Sequence, residues 1–301
     1  MSHHHDEAET RDGGLVIAVA LNLLLTVVEV VAGVLAGSLA LIGDALHNGS
    51  DAGSLLIALI ARRWSRRRPD AHRTFGYRRA SIIGALINLT TLVVIGVYLL
   101  YEAAMRAFQP PEIDGWVMIV VATVALVVDV ATVVLMSRMG KSLNIRAALM
   151  HNFADALASV GVIVAGVAIL IWDINWMDPL ITAVIAAYIT IQGVVMMRRT
   201  IAILIDSVPA DIDPDQIHAA LTELPGVTGL HHIHVRQLDE HFYVMEGHVV
   251  IDHGTAQAIE DCKQRIKTCL REQFSINDSV LEFEFSELPR NDSGRLITSH
   301  H

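Results

Sequence analysis

Residues 43–52 read GDALHNGSDA and lie in the middle of an apolar run, SLALIGDALHNGSDAGSLLIALIA, at 38–61. A second apolar run, LMHNFADALASVGVIVAGVAIL, occupies 149–170. Both runs are long and apolar enough to cross the hydrocarbon of a bilayer as helices. Each run carries a His followed four positions later by an Asp: His47 and Asp51 in the first, His151 and Asp155 in the second. The matching spacing predicts ionisable groups at equivalent places inside two membrane-spanning helices.

The composition favours a membrane protein in two parts. The 301 residues are 53 % hydrophobic and 18 % charged, whereas soluble domains are about a quarter charged. The mean hydropathy is +0.47. The apolar excess lies in residues 14–205, and residues 206–301 resemble ordinary soluble protein. A formal net charge of -10 argues against nucleic-acid binding, which depends on a basic face.

Six segments are long and apolar enough to span a bilayer as helices. A span needs about 20 mostly apolar residues. Helices are expected rather than barrel strands, because the runs are continuous and lack alternation. The segments are 14–36, 39–61, 81–105, 114–137, 147–171 and 178–204.

The basic residues predict the orientation of these spans. The loop after the second span, ARRWSRRRPDAHRTFGYRR at 61–79, is dense in Arg, and the loop after the fourth carries Arg138, Lys141 and Arg146. The loops after the first and fifth spans have neither Lys nor Arg. The positive-inside rule therefore places both termini in the cytoplasm. The Arg-rich loop could contact anionic lipid headgroups, or form salt bridges with an acidic cytoplasmic domain.

The two His–Asp pairs predict a metal site. Residues four apart lie on one helix face, about 6 Å apart along the axis. Two such helices facing each other supply two imidazoles and two carboxylates, a set that suits tetrahedral Zn²⁺. An all-carboxylate site would favour Mg²⁺ or Mn²⁺, and thiolates would favour Cu(I). We therefore predict that His47, Asp51, His151 and Asp155 bind one Zn²⁺, with Co²⁺ and Cd²⁺ close to it in geometry.

Simpler explanations exist for polar residues inside spans. A single His–Asp pair could only hydrogen-bond two helices together, but two copies within the string H-N-x-x-D-A favour the metal site. Glu29 and Asp129 also lie inside spans. Because intramembrane charges are costly, these acids could line a pathway, shuttle protons or pair with Arg.

Five longer stretches carry a resemblance to a known family. They are VVEVVAGVLAGSLALIGDALHNGSDAGSLLIALIA at 27–61, RTFGYRRASIIGALIN at 73–88, YEAAMRAFQPPEI at 101–113, NIRAALMHNFADALASVGVIV at 144–164 and DPLITAVIAAYI at 178–189. These stretches resemble the cation diffusion facilitators, which are bacterial and eukaryotic zinc exporters. The resemblance covers nearly all of residues 15–288.

This resemblance implies a transporter that exchanges a divalent cation for protons by alternating access. His47, Asp51, His151 and Asp155 fall on the family's transport-site positions, and the two-His, two-Asp set is similar to the zinc-preferring subgroup. Ser81 stands where the family commonly has Glu. The short loops and compact chain favour a bacterial inner membrane.

Residues 206–288 predict a small α+β domain, with tails at 1–13 and 289–301. The order α-β-β-α-β is similar to the family's cytoplasmic domain and implies a homodimer. The elements are DIDPDQIHAALTEL at 211–224, VTGLHHIHVRQL at 227–238, HFYVMEGHVVI at 241–251, TAQAIEDCKQRIKTCLREQF at 255–274 and SVLEFEFSE at 279–287.

The small domain carries many side chains that could bind metal: His231, His232, His234, His248, Asp278, Glu282 and Glu284. The family resemblance implies regulatory zinc near the dimer interface, and His231, His248 and Glu284 fit that pattern best. Asp278 stands where relatives often have His. The alternative is a set of strand histidines on a solvated face.

Other functions fit the sequence less well. A zinc hydrolase keeps an open coordination position beside a general base, whereas four ligands close the predicted shell and no H-E-x-x-H occurs. We therefore expect no enzyme. A passive metal channel or a non-transporting membrane metal sensor could share the ligands. The run His3–His5 could be a purification remnant, part of a tail or a weak metal collector. Cys262 and Cys269 are expected to be reduced thiols on one helix face.

Overall fold

The structure is a computed structural model that describes residues 23–65, 70–137, 143–239, 242–252 and 254–286. The His run at 3–5 and both predicted tails lie outside these ranges, as do Arg138 and Lys141. The chain divides into two compact units. The first unit contains Met1–Arg62 and Gly84–Met197, and the second contains Arg63–Ile83 and Arg198–His301.

In the described ranges six helices precede the small domain, which confirms the predicted fold class. They are α1 at Leu23–Ala36, α2 at Leu39–Ser65, α3 at Arg79–Phe108, α4 at Gly115–Ser137, α5 at Leu143–Trp172 and α6 at Met177–Leu204.

Four of the described helices are long and apolar enough to cross a membrane, namely α3, α4, α5 and α6. The described part of α1 is shorter, and the first residues of its predicted span lie outside the described ranges. Helix α2 has 27 residues, but the string HNGSD at 47–51 interrupts its apolar sequence. Two of the four predicted ligands, His47 and Asp51, therefore lie in the interrupted part of α2.

Small residues let helices of the first unit pack closely. A Cβ atom on Gly166 of α5 would lie 2.9 Å from Cγ1 of Ile119 and 3.0 Å from the carbonyl oxygen of Gly115. The backbones of α4 and α5 are therefore nearly in contact, as small residues allow in membranes. Large side chains such as Leu41, Leu99 and Met118 fill the core between the helices.

A buried carboxylate joins the start of α6 to the start of α2. Asp178 is fully buried and accepts hydrogen bonds from Ser38 Oγ at 2.6 Å, from the Leu39 N–H at 3.0 Å and from the Ala40 N–H at 3.1 Å. Gly37 forms the turn before α2 with a φ of +72°, a left-handed conformation that favours glycine. A side chain from α6 thus accepts from two of the N–H groups at the start of α2, which every helix start leaves unpaired.

The second unit confirms the predicted order α-β-β-α-β. Strand β1 pairs with β2 in antiparallel orientation, and β2 pairs with β3 in parallel, so β2 is central. The connection between the two parallel strands runs through a helix, as parallel pairing requires. The elements are α7 at Pro214–Thr222, β1 at Val227–Asp239, β2 at Phe242–Ile251, α8 at Ala256–Phe274 and β3 at Ile276–Phe285.

Local signals fix the two helices of this unit. Asp213 caps α7 by accepting from the Asp215 N–H, with a proline in its first turn. Thr255 caps α8, and Ser275 ends it in the left-handed conformation. The apolar faces of both helices join the sheet in one core around Ile217, Met245 and Ile266.

The two cysteines are free and buried on α8, in agreement with the predicted reduced thiols. Burial, with a smaller contribution from the charge of Glu272, raises the pKa of the Cys269 thiol. The Cys269 thiol therefore stays protonated at neutral pH, which does not favour nucleophilic or metal chemistry.

The described part of the Arg-rich loop forms salt bridges within the second unit. Arg78 donates to Asp239 Oδ2 at 2.9 Å, and its guanidinium lies 4.0 Å from the ring centroid of Phe242. Arg79 forms an ion pair with Asp206. Of the two roles predicted for the Arg-rich loop, lipid contact and salt bridges, Arg78 and Arg79 therefore show the second.

A capped turn orders the same loop. Asp70 accepts hydrogen bonds from the backbone N–H groups of His72 and Arg73, at 2.8 and 2.9 Å, and from the Tyr77 hydroxyl at 3.0 Å. These hydrogen bonds lower the pKa of the Asp70 carboxyl, and the bond from the His72 N–H has the largest effect. The turn therefore keeps its charged form at neutral pH.

Candidate metal site

The structure brings the four predicted membrane ligands together in the first unit. His47 and Asp51 lie on α2, and His151 and Asp155 lie on α5. One ligand atom from each of the four residues lies within 4.8 Å of all the others. The imidazole rings of His47 and His151 stand edge to face with centroids 5.7 Å apart.

The four side chains are paired across the two helices. His47 Nε2 lies 3.1 Å from Asp155 Oδ1, and His151 Nε2 lies 3.0 Å from Asp51 Oδ2. The pairs within each helix are longer, at 3.8 Å for His47 with Asp51 and 3.7 Å for His151 with Asp155. Each imidazole therefore faces both carboxylates, with the closer one on the opposite helix.

These separations suit a small tetrahedral ion. Zinc binds imidazole nitrogen and carboxylate oxygen at about 2.0–2.2 Å, so tetrahedral ligand atoms lie about 3.3–3.6 Å apart. The four measured N–O separations, from 3.0 to 3.8 Å, bracket that range. A metal ion at the centre would replace the cross-helix hydrogen bonds with only small side-chain movements.

One side of the cluster is more open than the other. His47 and Asp155 are buried, each at 7 % exposure, whereas the His151 side chain is 44 % exposed and that of Asp51 30 %. The ring of Tyr188 on α6 stands edge-on to His47 at 6.2 Å. The His151 and Asp51 side of the cluster is therefore the side that the protein covers less.

His47 has an unusual second nitrogen. Its Nδ1 atom is buried and has no hydrogen-bond partner among the described residues. Metal-binding histidines usually donate their other ring N–H to an acceptor, which fixes the tautomer. Here the Nε2 atom faces the carboxylates, so the packing around the ring orients the imidazole.

The structure places Glu29 and Asp129 beside the same two helices. Glu29 on α1 accepts from Asn48 Nδ2 at 3.1 Å, and Asp129 on α4 accepts from Ser159 Oγ at 3.3 Å. Among the described residues, the ion pairs of arginine go to other acids, so the predicted pairing with Arg is not seen in this part of the chain.

Sequence reasoning missed the contacts of two residues of α6. Tyr188 lies in a predominantly apolar helix, and no local pattern marks it as a neighbour of His47. The sequence shows Asp178 as an acid followed by proline at a helix start. Its hydrogen-bond partners, at the start of α2, lie about 140 positions away in the sequence.

The second unit contains a smaller cluster of possible ligands. His248 Nδ1 lies 2.8 Å from Glu284 Oε1, and His231 Nε2 lies 3.5 Å from Glu284 Oε2. One ligand atom from each of these three residues lies within 4.8 Å of the others. Glu282 lies at the margin, 3.6 Å from His248 Nε2.

A β-bulge positions the histidines of β1. The register between β1 and β2 shifts between His231 and His234, and His232 takes a φ of +55°. The ring of His232 lies 4.8 Å from that of His248 and 4.6 Å from that of His234. His232 and His234 thus lie near the three-residue cluster without belonging to it. Asp278 is also outside it and pairs in register with Val244.

Two family models match the chain. The cation efflux transmembrane domain matches residues 15–205, and the cytoplasmic domain of cation efflux proteins matches residues 209–284. Together they cover both regions in which the possible ligands cluster.

Curated relatives match over nearly the whole chain. The metal cation efflux system protein CzcD of Cupriavidus metallidurans is 32 % identical, over 97 % of this chain and 93 % of its own length. The zinc transporter ZitB of Pectobacterium atrosepticum is 28 % identical, over 100 % and 94 %. A cadmium, cobalt and zinc/H(+)-K(+) antiporter of Bacillus velezensis is 31 % identical, over 89 % and 87 %. The chain belongs to the cation efflux family, whose members are membrane transporters and not enzymes.

Proposed function

We propose that this protein exports divalent metal cations, above all Zn²⁺, from the cytoplasm in exchange for protons. The cluster of His47, Asp51, His151 and Asp155 carries the proposal, because its N–O separations suit a tetrahedral ion inside the membrane unit. Two carboxylates neutralise one divalent ion, so the loaded site bears no net charge. The names of the relatives, a zinc transporter and a cadmium, cobalt and zinc antiporter, support the choice of cargo.

The ligand chemistry supports proton exchange. Imidazole titrates near neutral pH, and a metal ligand must lose its proton to bind. Zinc arriving from the cytoplasm would therefore displace protons from the cluster, and protons arriving from the other side would displace zinc. Alternating access to a site between α2 and α5 would require the helices to rock around it. The antiporter names of relatives support this direction of coupling.

We propose the following setting for this transport. The membrane domain spans 14–205 and the cytoplasmic domain 206–288, with tails at 1–13 and 289–301. The chain forms a homodimer in a bacterial inner membrane, with both termini in the cytoplasm. The match to the family's cytoplasmic domain, the bacterial relatives and the Arg-rich loop support this setting.

The test uses the purified full chain in liposomes that contain a zinc-sensitive dye and carry an imposed pH gradient. We expect zinc to accumulate against its own gradient and to stop when the pH gradient is collapsed. Zinc flux that ignores the pH gradient would favour a passive channel. Zinc binding without flux would favour a membrane metal sensor.

We also propose that the cytoplasmic cluster of His231, His248 and Glu284 holds a regulatory zinc ion. A buried imidazole, a second imidazole and a shared carboxylate supply three ligands of the type zinc prefers. The ring of His232 and the carboxylate of Glu282 lie beside His248.

The replacement His248→Ala tests the cytoplasmic site. We expect the full chain to bind about one zinc ion fewer than the unchanged protein, because only two of the three ligands remain. Zinc bound per chain is measured by equilibrium dialysis. His218→Ala on α7 is the matched control and should leave the count unchanged. An unchanged count in His248→Ala would contradict the proposal.

A further inference from the structure

Three carboxyl groups in the first unit form no ion pair with Arg or Lys in the described part of the chain. Glu29 is fully buried and Asp44 is 1 % exposed, and Asp129 lies partly buried on α4. Among the described residues, every ion pair made by Arg or Lys goes to a different acid. An ionised carboxylate inside a membrane protein is costly unless a positive charge neutralises it. Each of these groups must therefore hold a proton or share a cation.

The three acids surround the helices that carry the proposed zinc ligands. Glu29 accepts from Asn48, the residue after His47, at 3.1 and 3.4 Å. Asp129 accepts at 3.3 Å from Ser159, which lies one turn after Asp155. Asp44 lies on α2 itself, almost one turn before His47. The acids thus contact α2 and α5 without being among the four proposed ligands.

The Asp44 carboxyl gives independent evidence for a function beyond packing. Its Oδ2 atom is buried and has no hydrogen-bond partner among the described residues. A buried oxygen left without a partner costs about 1–3 kcal/mol, more if charged. The groups that act electrostatically on this carboxyl are, in order of size, the carboxyl of Glu29, the imidazole of His47 and the carboxyls of Asp129 and Asp155. Three of these four groups are acids, and none of the four is an Arg or a Lys.

The arrangement favours protons over a second metal ion. In the described residues, the groups whose ligand atoms converge within 4.8 Å are the two clusters described above, and neither contains Glu29, Asp44 or Asp129. One metal ion needs several oxygen ligands at about 2–2.6 Å, which requires convergence. A proton needs only one carboxylate oxygen, so separated acids can each carry one.

We propose that Glu29, Asp44 and Asp129 form a proton-holding site, distinct from the four zinc ligands, whose protons leave when zinc binds. The inference rests on the proposed zinc–proton exchange and adds a second location for the counter-ion. Asp44 interacts electrostatically with His47 and Asp155, and Asp129 with Asp155, His151 and His47. A doubly positive ion at the ligands stabilises the ionised form of these acids, so each carboxylic acid that ionises gives one proton to water. When zinc departs, the carboxylate takes one proton back.

The test counts protons released per zinc ion bound. Zinc chloride is added to the full chain in detergent, in weakly buffered solution with a pH indicator, and zinc affinity is measured by calorimetry. We expect Glu29→Gln, Asp44→Asn and Asp129→Asn to keep zinc binding. Together, as a triple variant, they should release at least about one proton fewer per zinc, and the pH dependence of zinc affinity should flatten accordingly. Asp173→Asn, in the turn before α6, is the matched control and should release as many protons as the unchanged protein.

Two outcomes would overturn the proposal. One is an unchanged proton count in the triple variant and in each single variant. The other is loss of zinc binding in a folded Asp44→Asn protein, which would make Asp44 a metal ligand. Folding is checked by gel filtration, and Glu29→Gln and Asp129→Asn carry the test if Asp44→Asn does not fold. An unchanged protein that binds zinc and releases protons but moves no zinc into liposomes would contradict the transport proposal alone.

Discussion

Replacing Asp155 with Ala is expected to abolish zinc transport in liposomes while leaving the protein folded in the membrane. The change removes one of four ligands and the closer carboxylate partner of His47, whose Nε2 lies 3.1 Å away. The site would then have one carboxylate for a divalent ion, so the loaded state would carry a net positive charge inside the membrane unit. We expect zinc affinity to fall at least about 100-fold, since loss of an outer-sphere partner alone costs 10–100-fold.

The measurement compares zinc accumulation by the variant and the unchanged protein under the same pH gradient. Asp261→Ala is the matched control, because Asp261 is exposed on α8 and accepts a hydrogen bond from Gln257 Nε2 on the same helix. The control should transport normally, and the variant should elute from gel filtration as the unchanged protein does. Normal zinc accumulation by Asp155→Ala would exclude this residue from the transport site.

The membrane ligands were predictable because helix geometry is regular. A spacing of four residues places His47 and Asp51 on one face wherever α2 lies in the protein. The second copy of the string, at 151–156, places His151 and Asp155 on one face of α5 in the same way. The polar faces of the two helices are expected to meet, because a polar face inside a membrane bundle turns away from lipid. The His–Asp distances across the two helices could not be predicted from the sequence, because they depend on how α2 and α5 pack.

The cytoplasmic cluster was harder to predict because strand periodicity is easily shifted. Strict alternation would place His232 and His234 on one face of β1 and His231 on the other. The bulge between His231 and His234 breaks that alternation, and the rings of His231 and His232 both come within 5.2 Å of the ring of His248. No glycine marks the bulge at His232, although its φ is positive. The sequence therefore indicated the residues but not their division into a three-residue cluster and two neighbours.

Contacts between distant segments were beyond the sequence. Asp178 was recognisable as an acid in the first turn of a helix, where it would stabilise that helix by its charge. The structure uses it for another helix, because the starts of α2 and α6 meet in the folded unit. Such a meeting depends on how all six helices pack, and local pattern carries no information about it.

Asp178→Ala is expected to destabilise the membrane unit severely. The carboxylate accepts three hydrogen bonds within the interior, from Ser38 Oγ and from the backbone N–H groups of Leu39 and Ala40. Removing it leaves these donors unpaired at a buried helix start, where each unsatisfied group costs about 1–3 kcal/mol and a lost cap about 1 kcal/mol. We expect a total loss of about 3–5 kcal/mol, which is a large part of the stability of most domains.

The comparison of two replacements separates the loss of hydrogen bonds from the loss of charge. Asp178→Asn keeps one acceptor oxygen but turns an NH₂ group towards a backbone donor, so its midpoint of thermal unfolding should lie between those of Asp178→Ala and the unchanged protein.

Stability is measured as the midpoint of thermal unfolding in detergent, followed by tryptophan fluorescence, with recovery after gel filtration. Asp173→Asn, five residues earlier and exposed, should leave the midpoint nearly unchanged. If Asp178→Ala unfolds at the same temperature as the unchanged protein, the carboxylate does not hold the start of α2. Because α2 carries His47 and Asp51, a partly folded Asp178→Ala protein should also bind zinc more weakly without any change to the ligands themselves.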